Sequence, residues 1–124
     1  MHFTSKKLEV DDALDCYERY EALGWTDGLP VIPPTEASVR AFLEHAGLAS
    51  GYVVGVYGDR ATAITAEKVA INAVMAGCRA EYMPVVVAAV EALTDPAFHL
   101  NHIASMSSPR YILRRNPTVV RLLS

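Results

Sequence analysis

Over residues 10–23 the apolar positions Val10, Ala13, Leu14, Tyr17 and Tyr20 recur every three or four residues, separated largely by Asp11, Asp12, Asp15, Glu18 and Glu21. That spacing predicts an amphipathic helix, with Gly24 as its stop. Residues 24–35 (GWTDGLPVIPPT) carry two glycines and three prolines, which forbid helix and predict a rigid, shaped loop. Thr35 then caps a second helix whose stripe Val39, Phe42, Leu43 and Ala46 ends at Gly47. Residues 52–57 (YVVGVY) are β-branched and aromatic between glycines and read as a strand, with residues 62–64 as a second extended piece.

The densest apolar pattern lies in residues 65–84 (TAEKVAINAVMAGCRAEYMP). Thr65 caps a helix in which only Glu67, Lys68 and Asn72 interrupt the apolar surface, so most of it should be buried. It ends at Gly77 and hands over beside Cys78 to a second helix over residues 80–93, with Pro84 in the first turn, where a missing amide hydrogen costs least. In that helix Tyr82, Val85, Val86, Ala89, Val90 and Leu93 share one face, with Val87, Ala88 and Ala92 elsewhere, and a helix apolar nearly all round is expected in the middle of a core or at a subunit interface. Residues 100–106 and 111–113 read as further strands. The sum is a mixed α/β (α+β) fold, helix-rich, with a small sheet of short strands around a central pair of apolar helices.

At 124 residues there is room for one domain, 1–124. Hydrophobic residues make up 52% and charged residues 20%, a surplus of apolar surface that favours a homo-oligomer or a partner protein. The net charge of -3 argues against nucleic-acid binding by bulk electrostatics. Beyond Asp95, however, there is no acidic side chain, while Arg110, Arg114, Arg115 and Arg121 make residues 107–124 a basic segment. It reads either as a solvated face or as a docking tail for an acidic partner surface or an anionic ligand. The two cysteines, Cys16 and Cys78, suggest no disulfide framework, residues 1–12 do not read as a secretory signal, and no apolar run is long enough for a membrane span. A reduced, cytoplasmic protein is the expectation.

Several residues could carry chemistry. Cys78 lies between two helix ends of opposite polarity, one raising and the other, with Arg79, lowering a thiol pKa. Lys68 and Asn72, four apart on one helix face and with Arg79 not far round, could hold the carboxylate or phosphate of a small substrate. Glu67 could move a proton, although its place in the first turn already serves the helix dipole. Asp27 could be a carboxylate held up by the rigid loop or half of an Asp-Gly turn, and Trp25 a pocket wall or an anchor. His99 and His102, joined by Cys78 or His45, have metal-ligand spacing, but without Cys-x-x-Cys or His-Glu-x-x-His companions the sequence predicts no metal centre. No glycine pattern for dinucleotide or phosphate binding occurs, and no cofactor is implied.

The blocks Gly24-Trp25-Thr26-Asp27-Gly28-Leu29-Pro30-Val31 with Pro33-Pro34-Thr35, and Glu67-Lys68-Val69-Ala70-Ile71-Asn72-Ala73-Val74-Met75-Ala76-Gly77-Cys78 with Glu81-Tyr82-Met83-Pro84, resemble a bacterial protein group often found with or fused to a UGSC-type thiol or selenol domain. The resemblance spans residues 20–109. It implies that the loop and the 67–84 segment form one site and raises the prospect of redox or sulfur chemistry. This chain has no Cys-Gly-Ser-Cys segment of its own, so a catalytic thiol partner would come from another chain. The functional expectation is an enzyme domain or subunit acting on a small anionic substrate: Cys78, Glu67 and Asp27 as catalytic candidates, Lys68, Asn72, Trp25 and Arg79 as binding candidates. A non-catalytic interaction or oligomerisation subunit is the alternative.

Overall fold

The computed structural model describes residues 2–58 and 60–95. The strands expected at 100–106 and 111–113, the basic segment 107–124, and His99 and His102 lie outside these residues. The first three helices start where a side chain takes up a free amide. Asp12 accepts from the Asp15 amide (2.8 Å) and begins α1, Ala13–Ala22. Thr35 and Ser38 bond each other's backbone reciprocally at the start of α2, Glu36–Ala46. Thr65 caps α3, Ala66–Met75, whose next two free amides are taken by the carbonyls of Tyr52 (2.7 Å) and Ser50 (3.0 Å). A single 3-10 turn, Ala80–Tyr82, leads into α4, Met83–Thr94.

The exits of α1, α2 and α3 follow one rule. At Gly77 the backbone turns left-handed (φ 81°), which glycine adopts without a Cβ clash. The Gly77 amide then donates to the Val74 carbonyl and the Cys78 amide to the Ala73 carbonyl (2.9 and 3.0 Å), the Schellman arrangement. The same pair of bonds closes α1 through Gly24 and Trp25 and α2 through Gly47 and Leu48. At α1 the accompanying apolar contact is Trp25 edge-on to Tyr20, with ring centroids 5.3 Å apart.

β1, Val53–Tyr57, and β2, Thr62–Thr65, form an antiparallel hairpin. Val53 faces Thr65 and Gly55 faces Ile64, so Val54 is an extra residue on β1, a bulge that turns it into the core. Helices α2, α3 and α4 pack on one another and α4 lies across β1. Leu43, Val69, Met83 and Val90 are fully buried at the centre, each contributing about 1.5–3 kcal/mol relative to exposure. Ala66, Ala70 and Ala73 are also buried, and their small size lets neighbouring backbones approach α3 closely. The chain is therefore a helix-rich α+β fold of four helices and a two-stranded sheet among the described residues.

Two buried faces differ in phase from expectation. In α4 the inward side chains are Met83, Val87, Val90 and Leu93, while Tyr82 and Val85 are exposed. The 3-10 turn places Tyr82 before the helix proper, so Met83 takes the first inward position. In α1 only Cys16 is buried; Val10, Ala13 and Leu14 face out, because the helix is held on the Cys16–Tyr20 side where Trp25 folds back. Burial, together with neighbouring Cys16, pushes the Tyr20 phenol up to about 12. No helix among the described residues is long and apolar enough to cross a membrane.

Candidate functional site

The proline-rich loop and the end of α3 meet. The Ile32 amide donates to the Met75 carbonyl (3.1 Å), satisfying one of the carbonyls that a helix C-terminus leaves open. A Cβ on Gly77 would lie 3.9 Å from Ile32 Cγ1, so the loop rests directly on the glycine corner. Upstream, Asp27 Oδ1 accepts from the Leu29 amide (3.1 Å) and Thr26 Oγ1 from the Gly28 amide (3.2 Å). Asp27 thus shapes the turn while remaining at the surface. Trp25 is 41% exposed and serves as the loop's anchor on Tyr20.

Cys78 follows the corner and is half-buried. Burial pushes its thiol up, and the adjoining 3-10 turn is too short to supply an opposing helix dipole. Alkylation by iodoacetamide should accordingly be slow at pH 7 and reach half its maximal rate above about pH 8.5, the value of an unhindered thiol. Mass spectrometry of the native protein across pH measures this; rapid labelling of Cys78 at neutral pH would contradict it. Cys16, buried, should stay unlabelled until the protein unfolds.

Lys68 and Arg79 are exposed, and neither makes an ion pair among the described residues. Asn72 Nδ2 donates back to the Lys68 carbonyl (2.9 Å), a local bond that keeps the amide on the helix surface. Lys68 and Asn72 therefore share the partly wet side of α3, and Arg79 stands at the corner beyond it.

Glu67 is elsewhere. It sits about 12 Å of helix away from Met75, at the opposite end of α3 from the corner. It is 3% exposed, and its carboxylate accepts from the Thr4 amide (3.0 Å), the Thr4 hydroxyl (3.0 Å) and the Ser5 amide (3.3 Å). Residues 2–7 form a strap across α2 and the start of α3. Ser50 Oγ donates to the His2 carbonyl (2.6 Å), Phe3 packs against the core beneath the Arg40 guanidinium (5.6 Å), and Lys7 pairs with Glu36. Sequence reasoning did not find this strap. Its one signal was a carboxylate at a helix position that turns out to be buried, and nothing local identifies donors more than sixty residues away.

The structure brings Ile32 of the loop to the corner that Cys78 and Arg79 follow, keeps Trp25 on Tyr20 and Asp27 in its own turn, leaves Lys68 and Asn72 along the adjoining face, and assigns Glu67 to the strap. Among the described residues no three His, Cys, Asp or Glu side chains come together as a metal site. Compared with known proteins, the chain matches no family model, no curated protein and no solved structure.

Proposed function

We propose that this chain is an interaction subunit whose corner, formed by the 25–34 loop and the start of α4, docks onto a second copy of itself. The observation that carries this is the exposure of Leu29 and Ile32, at 65 and 55%, on the loop that rests on Gly77, and of Tyr82 and Val85, at 51 and 72%, on the segment that leaves Gly77. Isolated exposed apolar residues are ordinary; four large ones on the loop that reaches Gly77 and the segment that leaves it are a basis for association. Arg79 and Glu81 are both exposed there and unpaired among the described residues. A two-fold arrangement would let the Arg79 of each copy meet the Glu81 of the other, the self-complementarity that an isologous interface needs.

Analytical ultracentrifugation tests this reading. The wild-type chain should sediment as a dimer and Val85→Asp as a monomer with an unchanged circular dichroism spectrum, since Val85 supports nothing inside the fold. A wild-type chain that stays monomeric at high concentration, or a Val85→Asp chain of unchanged mass, would defeat it.

The Ile32–Met75 bond favours a second reading, because it holds the loop beside Cys78 and Arg79. In that reading the corner belongs to an enzyme that takes a small anionic substrate on Lys68, Asn72 and Arg79. Its reactive thiol would come from a separate UGSC-type chain, in keeping with the resemblance of the two motif blocks. Saturable protection of Arg79 from phenylglyoxal by a carboxylate or phosphate ligand would support it over pure docking.

A further inference from the structure

We propose that the groove between α2 and the start of α3 is a receptor for an extended chain segment, filled here by residues 2–7, and that two copies of the chain can exchange these straps. The groove reads main chain more than side chains. Ser50 Oγ addresses one carbonyl, and the Glu67 carboxylate collects two successive amide hydrogens and a hydroxyl. Specificity comes from the slot that takes Phe3 under Arg40 and from the Glu36 carboxylate that meets Lys7. Backbone bonds for affinity plus a side-chain slot for register is the logic of strand-like peptide recognition.

Two features point to exchange. Leu8, Glu9 and Val10 make no hydrogen bond or ion pair among the described residues, and Asp11 and Asp12 bond only within the first turn of α1. The strap is thus joined to the body by a stretch that can redirect it without breaking a hydrogen bond or ion pair. The second feature is the buried carboxylate. The strap donates every hydrogen bond to the Glu67 side chain, so an empty groove would leave the carboxylate with none of its protein donors, and a segment with the same donors restores them. A neighbouring copy carries that segment, and contacts made in trans equal those made in cis. The groove and the corner lie at opposite ends of α3, so this exchange is separate from the corner contact.

Complementation tests it. One chain carries Phe3→Ala, which spoils the strap and leaves the groove; the other carries Glu67→Ala, which removes the acceptor from the groove and leaves the strap. Both also carry Val85→Asp to remove the corner contact. Mixed and sedimented, they should give a species of twice the chain mass that neither gives alone. A mixture that stays monomeric while both chains are folded by circular dichroism overturns the proposal. If Glu67→Ala does not fold, a fluorescent synthetic peptide of sequence HFTSKK replaces it. The peptide should bind the Phe3→Ala chain at least about tenfold more tightly than the wild type, whose groove is occupied. Equal binding to the two, or none to the folded Phe3→Ala chain, overturns it as well.

Discussion

Gly55→Ala should be among the most destabilising single substitutions in this chain, lowering stability by about 2–3 kcal/mol. A Cβ on Gly55 would lie 2.1 Å from Thr94 Oγ1 and 2.8 Å from Thr94 Cβ, far inside contact distance. The threonine cannot simply turn away, because its hydroxyl donates to the Val90 carbonyl (2.7 Å) and also reaches the Glu91 carbonyl. Nor can α4 withdraw without uncovering Val90 and Leu93, and β1 is pinned on its other edge where Gly55 pairs with Ile64. Thr94→Ala in the same chain should rescue only part of the loss, since the Thr94 Cβ remains in the way. Urea unfolding of the wild type and the two variants reads this directly. A Gly55→Ala chain within about 0.5 kcal/mol of wild type, the range of an ordinary surface change, would mean that α4 does not lie on β1 at this distance.

Glu67→Ala should cost about 2–3 kcal/mol, the order expected when a hydrogen-bonded charged group is removed from the interior. Its effect should also be uneven. Thr4 and Ser5 lose their acceptor, so their amides should exchange with solvent nearly as fast as an unfolded chain. The amides of Leu43 and Val90 should lose protection only in proportion to the fall in global stability. Hydrogen exchange followed by mass spectrometry separates these two responses. Thr4 and Ser5 amides that exchange equally fast in wild type and variant would show that the strap is not docked in solution.

Much of the helical framework was legible because its signals are local. Thr35 and Thr65 announce their helices by capping, Gly47 and Gly77 end them, and the apolar density of residues 66–75 correctly implies a buried α3. What the pattern could not supply was phase. A helix apolar nearly all round has no polar edge to orient it, so α4 presents Met83 rather than Tyr82 and Val85 to the core. In α1 the deciding force is the Trp25–Tyr20 contact, made by a residue outside the helix. The site divides in the same way. That the loop and the end of α3 adjoin could be suggested from two motif blocks, whereas the fate of Glu67 depends on donors at Thr4 and Ser5, whose side chains and backbone carry no sequence mark of a partner. The Gly55–Thr94 approach is likewise silent: a glycine inside a strand says that something comes close, not what.

The three glycine exits have a consequence for how this chain tolerates change. At α1, α2 and α3 the stop is written within six consecutive residues, and the closing bonds need nothing from the rest of the molecule. Helix length is therefore set by the segment itself, before any neighbour arrives. Substitutions elsewhere can tilt or loosen these rods, but they should leave each rod ending at the same residue, so the fold can vary in arrangement while its parts keep their measure.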